Sequence, residues 1–340
     1  MVKYGLKIVG AGYSVPKRKV STEELETMME FEKFGIRKGM SKLLSGVSER
    51  GFAEDNEDSS DYAVRASKMA LESANLKPED IDLLIFCSIT SDFLKPATAM
   101  KIREDLGCSN ANCYDIKNAC NAFLTGMEIA NMYIETGRAK NVLLCSGEIL
   151  SRYLKLHYDT PEEIANANAT FSLGDAGGAL IVSAKEIVDE KDKMKSIFQT
   201  SSEFWNDGIL WGGGTHYAHN PEMAYFQNET RQMIKTNFAK ASAFYAKALK
   251  DFDIKIDDVA LFIPHQITKY LTLKTCEILG LPVERTVDLI GNHGNIGCSS
   301  IPLAIAQNLE NGKLKLGSGQ QLVIFGFGNG VSMALISLYL

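Results

Sequence analysis

The sequence predicts an α/β protein built from two similar halves, each a mainly parallel sheet covered by helices, and three observations predict it. Residues 70–90 (ALESANLKPEDIDLLIFCSIT) and 248–268 (ALKDFDIKIDDVALFIPHQIT) align without a gap at an offset of 178. Each gives the end of an amphipathic helix, an acidic turn, a short apolar strand and a polar strand end, the mark of an internal duplication. The likeness continues downstream in the same order. YDIKNACNAFLTGMEIAN (114–131) and VDLIGNHGNIGCSSIPLAIAQ (287–307) each read as a strand, a tight turn and a helix, followed by the strands NVLLCSGE (141–148) and QQLVIFGFGNG (320–330). Finally, apolar strands alternate with helices throughout, which calls for a buried parallel sheet with helices on both faces.

In chain order, MVKYGLKIVGAGYSVP reads as a strand running into a Gly/Pro turn. The first half spans residues 1–184 and ends on SLGDAGGALIVS. The second spans 185–340 and ends on GFGNGVSMALISLYL. Residues 185–235, charged at first and then rich in Gly and aromatics, read as an excursion rather than a domain. Right-handed crossovers place strand ends and helix N-termini on one edge of each sheet. The two edges then face each other, and the site belongs between them.

Composition excludes several classes. The chain of 340 residues is 45% hydrophobic and 23% charged, with a formal net charge of -6 and no long Lys/Arg block, so no nucleic-acid partner is expected. No segment approaches the ~20 apolar residues of a membrane helix, and the N-terminal apolar stretch is too short and broken for a signal peptide, so no membrane partner is expected. Seven cysteines without regular spacing point to free thiols in a reducing cytoplasm. There is no CxxC pair and no HExxH. Only His216 and His219 have a metal-like spacing, in a Gly/Trp-rich loop, and no metal site is expected.

Four segments carry chemistry. In Asp115-Ile116-Lys117-Asn118-Ala119-Cys120-Asn121, a strand ends and a helix begins, so the field of the helix N-terminus should lower the Cys120 thiol pKa and favour thiolate. The alternative is a buried core cysteine, the class assigned to Cys87, Cys108, Cys113, Cys145, Cys276 and Cys298. His265 ends the apolar strand FIPHQ, where a neutral imidazole can donate a hydrogen bond or move a proton; a capping histidine is the alternative. Asn295 lies in GNHGNIGCSS, the counterpart of the Cys120 turn, one position from the counterpart of Cys120. There its amide can donate to a developing oxyanion, although Asn and Gly are also what tight turns use. GFGNG (326–330) offers backbone N–H groups to an oxyanion hole, or marks a bulge at a strand start.

These pieces, in this order, resemble the β-ketoacyl-ACP synthase III branch of the thiolase superfamily. The likeness runs from IVGAGYSVP and GVSERGFA (46–53) through DIKNACNAFLTGMEIA, SLGDAGGALIV and IPHQ to GFGNGVSMALISL. It implies a thiolase fold, with duplicated βαβαβ halves in a five-layer αβαβα sandwich. It also implies an acylated Cys120, with His265 and Asn295 binding the thioester carbonyl and assisting decarboxylation of a malonyl-type extender, and an oxyanion hole from the main-chain amides of Cys120 and Asn329. No second cysteine stands in the C-terminal Gly-rich loop, as it does in degradative thiolases. Nothing matches the general-acid glutamate of hydroxymethylglutaryl-CoA synthases. Two departures concern substrate delivery: FGIRKGMSKLL (34–44) lacks the Trp of the family's CoA clamp, and His265-Gln266-Ile267-Thr268-Lys269-Tyr270 stands where the family has HQAN followed by Arg.

The expected reaction is ping-pong. Cys120 takes an acyl group from an acyl-CoA or acyl-carrier-protein thioester, with no other cofactor, and passes it to a decarboxylated malonyl-type thioester or to an alcohol or amine. A specialised role in lipid or secondary metabolism is as well supported as a housekeeping one. Competing readings are a catalytically silent subunit of a ketosynthase heteromer and a cysteine hydrolase of another α/β fold. A cytoplasmic homodimer is expected by analogy, with Phe93 of the loop 91–100 reaching across to the partner's acyl channel.

Overall fold

The computed structural model describes residues 3–203, 205–206, 208–228 and 238–340. The strands are β1 (Tyr4–Ser14), β2 (Lys19–Ser21), β3 (Glu49–Gly51), β4 (Leu83–Cys87), β5 (Asn112–Ile116), β6 (Asn141–Ile149), β7 (Asp175–Glu186), β8 (Lys195–Thr200), β9 (Gly208–Leu210), β10 (Phe226–Asn228), β11 (Val259–Pro264), β12 (Gln321–Gly328) and β13 (Ser332–Tyr339). The helices used below are α1 (Thr22–Met28), α2 (Met40–Ser45), α3 (Ser59–Ala74), α4 (Thr98–Leu106), α5 (Ala122–Glu135), α6 (Pro161–Asn166), α7 (Phe238–Asp251), α8 (Lys269–Leu279), α9 (Ile290–His293) and α10 (Ser300–Glu310).

Two large sheets form, ordered β1-β7-β6-β4-β5 and β8-β13-β12-β11, beside the two-stranded pairs β2–β3 and β9–β10. The order repeats element for element, and the place of β5 in the second sheet is taken by a single parallel bridge between Phe262 and Thr286. The segment leading to the Asn295 turn, read from sequence as a full strand, is thus reduced to one bridge. Apolar side chains of both sheets meet across α5 and α10 in one central core. A second core lies between the first sheet and α3 and α4, and a third between the second sheet and α7 and α8. The layers are helix, sheet, helix, sheet, helix: a five-layer αβαβα sandwich. β6, NVLLCSGEI, is buried at every position, as a central strand covered on both faces requires. α5 closes onto it and onto β4 at Gly126, where a Cβ would crowd the Cys87 sulfur on β4 and lie 3.2 Å from Leu144 Cδ2 on β6.

Two sequence expectations need correction. The sheets are mixed rather than mainly parallel: β4 pairs parallel with β5 and β6, but β7 runs antiparallel to both β1 and β6. In the second sheet, β11–β12 is parallel and β12–β13–β8 antiparallel. Only residues 329–331 join β12 to β13, and a connection that short links antiparallel neighbours only, with no room for a crossover helix. The stretch 185–235 also divides. Residues 195–200 are β8, an integral strand of the second sheet, whereas 208–228 carry the β9–β10 hairpin over the gap between the halves. Its remainder, 229–235, lies outside the described residues, as do Phe204 and Asp207.

Candidate active site

The Cys120 turn is built from a strand end and a helix start that are anchored independently. Asp115 on β5 accepts the backbone N–H groups of Thr98 and Ala99, both at 2.8 Å, and so ties the strand to the start of α4. Beyond Ile116 the chain reverses through Ala119, which sits in the left-handed region at φ 45°. A non-glycine there is strained and persists only where its surroundings over-determine it. They do: Asn118 and Asn121 both donate through Nδ2 to the Ser332 hydroxyl on β13, at 3.1 and 2.9 Å. The Gly-rich strand end of β12 presses on the same turn. A Cβ at Gly326 would stand 2.1 Å from Asn121 Oδ1, and one at Gly328 3.0 Å from the Asn118 carbonyl. Gly326 leaves room for the Asn121 side chain and Gly328 for the Asn118 backbone, whereas Gly330 stands at φ 116° with open space beside it.

His265 follows β11, its N–H donating to the Phe325 carbonyl at 2.8 Å. Its neighbour Gln266 is buried and fixes the opposite segment, donating to the Val287 carbonyl and accepting from Leu289 and Ile290 N–H. Asn295 is buried. Its N–H donates to Ser172 and its carbonyl accepts from Gly174, which stitches it to the segment before β7. Its Oδ1 accepts the Gly297 N–H at 3.1 Å, leaving the Nδ2 donors for the other side.

These segments meet around a cavity of about 210 Å³ whose lining includes Cys120, His265, Asn295 and Asn329. The rest of the wall is mostly apolar, with Ile89 and Leu150 from one half, Phe327 from the other, and Ile209, Leu210 and Phe226 from the β9–β10 hairpin. Asn329 donates through Nδ2 to the Gly208 carbonyl and so holds that hairpin. Phe93 does not line this cavity. It is 36% exposed, in a neighbouring groove of about 540 Å³ that shares Ile89, Ala119 and Leu210 with it. His216 packs against the rings of Trp211 and Tyr217. Among the described residues no group of three or more His, Cys, Asp or Glu is placed to hold a metal.

The electrostatics correct one expectation. Burial pushes the Cys120 thiol up to about 12, with the negative charge of Glu148 adding to it, rather than the helix lowering it. Cys120 precedes the N-cap Asn121, and desolvation outweighs what its own backbone N–H gives back to a thiolate. Burial brings the His265 imidazole down to about 4, and its Nδ1 has no hydrogen-bond partner. The resting pair is a neutral thiol and a neutral imidazole. Two further sequence readings change. With α5 and α10 each starting two residues on, the positional counterpart of Cys120 is Cys298, and Asn295 lies three residues earlier rather than one. Cys113, assigned to the core, is half-buried on the edge strand β5. The sequence reading also missed Glu148, fully buried beside the Cys120 turn. A charged residue inside the otherwise apolar strand NVLLCSGEI was the available signal.

Family models describing the 3-oxoacyl-[acyl-carrier-protein] synthase III and its C-terminal part match residues 114–202 and 249–339. The β-ketoacyl-[acyl-carrier-protein] synthase III 1 of Bacillus cereus is 31% identical over 331 residues, covering 97% of each chain. The chain belongs to the 3-oxoacyl-[acyl-carrier-protein] synthase III family. Among solved structures, the family member from Aquifex aeolicus VF5 superposes with a TM-score of 0.84 at 26% identity, over 99% of this chain and 100% of that one. Xanthomonas campestris OleA, solved with lauric acid and lauroyl-CoA, shares the fold with a TM-score of 0.88 at 23% identity, over 99% of both chains.

Proposed function

We propose that this synthase III family member is an acyltransferase that forms an acyl-Cys120 enzyme and condenses the acyl group with a malonyl-type thioester. The observation that carries this reading is one apolar-walled cavity collecting Cys120, His265, Asn295 and Asn329 from four separate segments. In the first half-reaction the Cys120 sulfur bonds to the carbonyl carbon of an acyl thioester. The S–H proton passes through the His265 imidazole to the departing thiol, and the backbone N–H groups of Cys120 and Asn329 carry the transient oxyanion. In the second, His265 and the Asn295 amide donate to the carbonyl of the malonyl-type thioester. Loss of CO₂ leaves an enolate there, its carbon attacks the acyl-Cys carbonyl, and Cys120 departs as a thiolate that takes up one proton from solvent. A neutral imidazole suits both roles, since it accepts a proton in one step and donates a hydrogen bond in the other.

The acyl donor in this reading is acyl-CoA or acyl carrier protein, in the cytoplasm and without a further cofactor; among the described residues no helix is long and apolar enough to cross a membrane. Two copies pair along the free edge of β5, where Tyr114 and Ile116 are only half-buried and Leu94 and Met132 are exposed nearby, with Phe93 reaching toward the partner's channel. Residues 1–184 and 185–340 are the two duplicated units, with β7 of the first running on to Glu186; the first supplies Cys120 and the second His265 and Asn295.

Intact-mass spectrometry with a panel of acyl-CoA and acyl-carrier-protein thioesters tests the reading. Wild type gains one acyl mass and loses it on addition of malonyl thioester, with release of CO₂ and a 3-oxoacyl product; Cys120→Ala gains none. Native spectra of the same samples read the dimer. Absence of any adduct on wild type, or equal labelling of Cys120→Ala, sinks it.

A further inference from the structure

Glu148, the penultimate residue of β6, is wholly buried and has no cationic partner among the described residues. Three of its contacts are in the first half: Oε1 accepts the Ile89 N–H at 3.0 Å, and Oε2 accepts the Thr90 N–H and hydroxyl at 3.2 and 3.3 Å. The fourth crosses to the second half, where Oε1 accepts the Cys298 N–H at 3.2 Å. A buried ion without a counter-charge is costly unless donors saturate it. Here four donors do so, and each belongs to a segment near the cavity.

Cys298 is the hub of that arrangement. Its N–H rests on Glu148, and its thiol donates to the carbonyl of Ala119, one residue before Cys120, at 3.2 Å. The residue before it, Gly297, donates to Asn295 Oδ1 and so aims the amide. Gly297 stands at φ 52°, and a Cβ there would lie 3.0 Å from Glu148 Oε1. We infer that Glu148 is a positioning residue: its carboxylate locks the turn presenting Asn295 to the segment that follows β4, while the Cys298 thiol links that same turn to the one presenting Cys120. The negative charge of Glu148 also disfavours a free thiolate at Cys120. The other titratable groups facing this pair are Cys87 at the end of β4, Cys298, Tyr153 after β6 and His265. Burial holds both thiols and the phenol protonated and the imidazole unprotonated. Glu148 is therefore the charge that the Cys120 sulfur meets. Burial raises its own carboxyl above the ordinary range, and the N–H donors that favour the ion work against that rise.

The consequence is a rule for the first half-reaction. Because a preformed thiolate is disfavoured, the S–C bond forms as the S–H proton leaves for His265, and the product thioester is neutral, with nothing for Glu148 to repel. The inference rests on the acyl-Cys120 reading, but its main test does not need acylation. Iodoacetamide labelling of Cys120, followed by mass across pH 6–10, compares wild type, Glu148→Gln and Glu148→Asp, alongside steady-state condensation. Glu148→Gln keeps the shape and removes the charge, so Cys120 should label faster than in wild type throughout the series, by about tenfold at pH 8. Glu148→Asp keeps the charge, so its labelling rates should stay near those of wild type. Both should lose about tenfold or more in kcat with little change in KM, because the Asn295 turn loses its anchor. A merely structural role would lower melting temperatures and leave the labelling rates of Glu148→Gln at those of wild type, which overturns the inference. If Glu148→Gln does not fold, Glu148→Asp decides: kcat within about twofold of wild type overturns the positioning role. Failure of wild type to take up an acyl mass would strike the acyl-Cys120 reading instead.

Discussion

The Cys120 turn and the Asn295–Cys298 turn occupy equivalent places in the two halves, yet they offer opposite things to the cavity. The first follows a full strand, β5, passes through the strained Ala119 and presents its cysteine half-buried to the cavity. The second follows only a bridge at Thr286, passes through Gly294 and Gly297 with positive φ, and turns its cysteine inward onto the Ala119 carbonyl, fully buried. What it offers instead is Asn295, three residues earlier. The same strand–turn–helix grammar therefore supplies a sulfur on one side and an amide on the other. The difference lies in where glycine lets the chain bend and in what the buried carboxylate of Glu148 holds.

The sharpest break in that comparison is between Asn295 and Cys298. On the proposed mechanism Asn295→Ala removes a donor to developing charge and should cut condensation about 10²–10³-fold, roughly 3 kcal/mol, while acyl loading of Cys120 persists. Cys298→Ala leaves its backbone N–H on Glu148 and removes one weak S–H contact, so its loss should stay below about tenfold. Single-turnover loading, read by mass, separated from turnover with malonyl thioester makes the distinction. Equal losses for the two variants would mean that the second turn acts only as packing.

Much of this was legible because the duplication speaks twice. The offset of 178 between residues 70–90 and 248–268 fixed which strand ends must face each other, and the cavity collects Cys120, His265 and Asn295 from those ends. Strand direction was less legible. Period and apolarity show that β6 and β7 are buried but not which way they run, which depends on the length and shape of the connection. The protonation of Cys120 was misread because proximity to a helix start is visible in sequence and desolvation is not. Glu148 was passed over for a related reason: its partners are backbone N–H groups of Ile89, Thr90 and Cys298, and backbone donors leave no residue signature.

A middle-sized effect probes the contact between the first turn and β12. In Gly326→Ala the added methyl would meet Asn121 Oδ1 at 2.1 Å, on the residue whose Nδ2 holds Ser332. Overpacking of this kind costs about 1–3 kcal/mol. The chemical-denaturation midpoint should fall accordingly, and acyl loading should fall with it, because the displaced residue adjoins Cys120. Stability lost with loading intact would show that the first turn holds its shape without β12.

The smallest expected effect lies in the second turn itself. His293 in α9 is a mostly buried imidazole held down to about 4 by burial, with the positive charge of Lys19 adding to it. Its unfolded-state value is near 6.5, so between about pH 6.5 and 4 the unfolded chain binds a proton that the folded chain refuses. Stability is then lost as pH falls through that window, at up to about 1.4 kcal/mol per pH unit for one such group. His265 shifts the same way and adds to the slope, whereas Asp175, raised to about 6, opposes it because its folded form binds the extra proton. His293→Gln removes one of the two imidazoles without touching the cavity. Its urea midpoint should therefore decline less steeply than that of wild type between pH 6.5 and 4, by the equivalent of at most one proton. Parallel curves for the two proteins would mean that His293 takes up its proton in the folded state, and that the second turn is open enough to hydrate a charge.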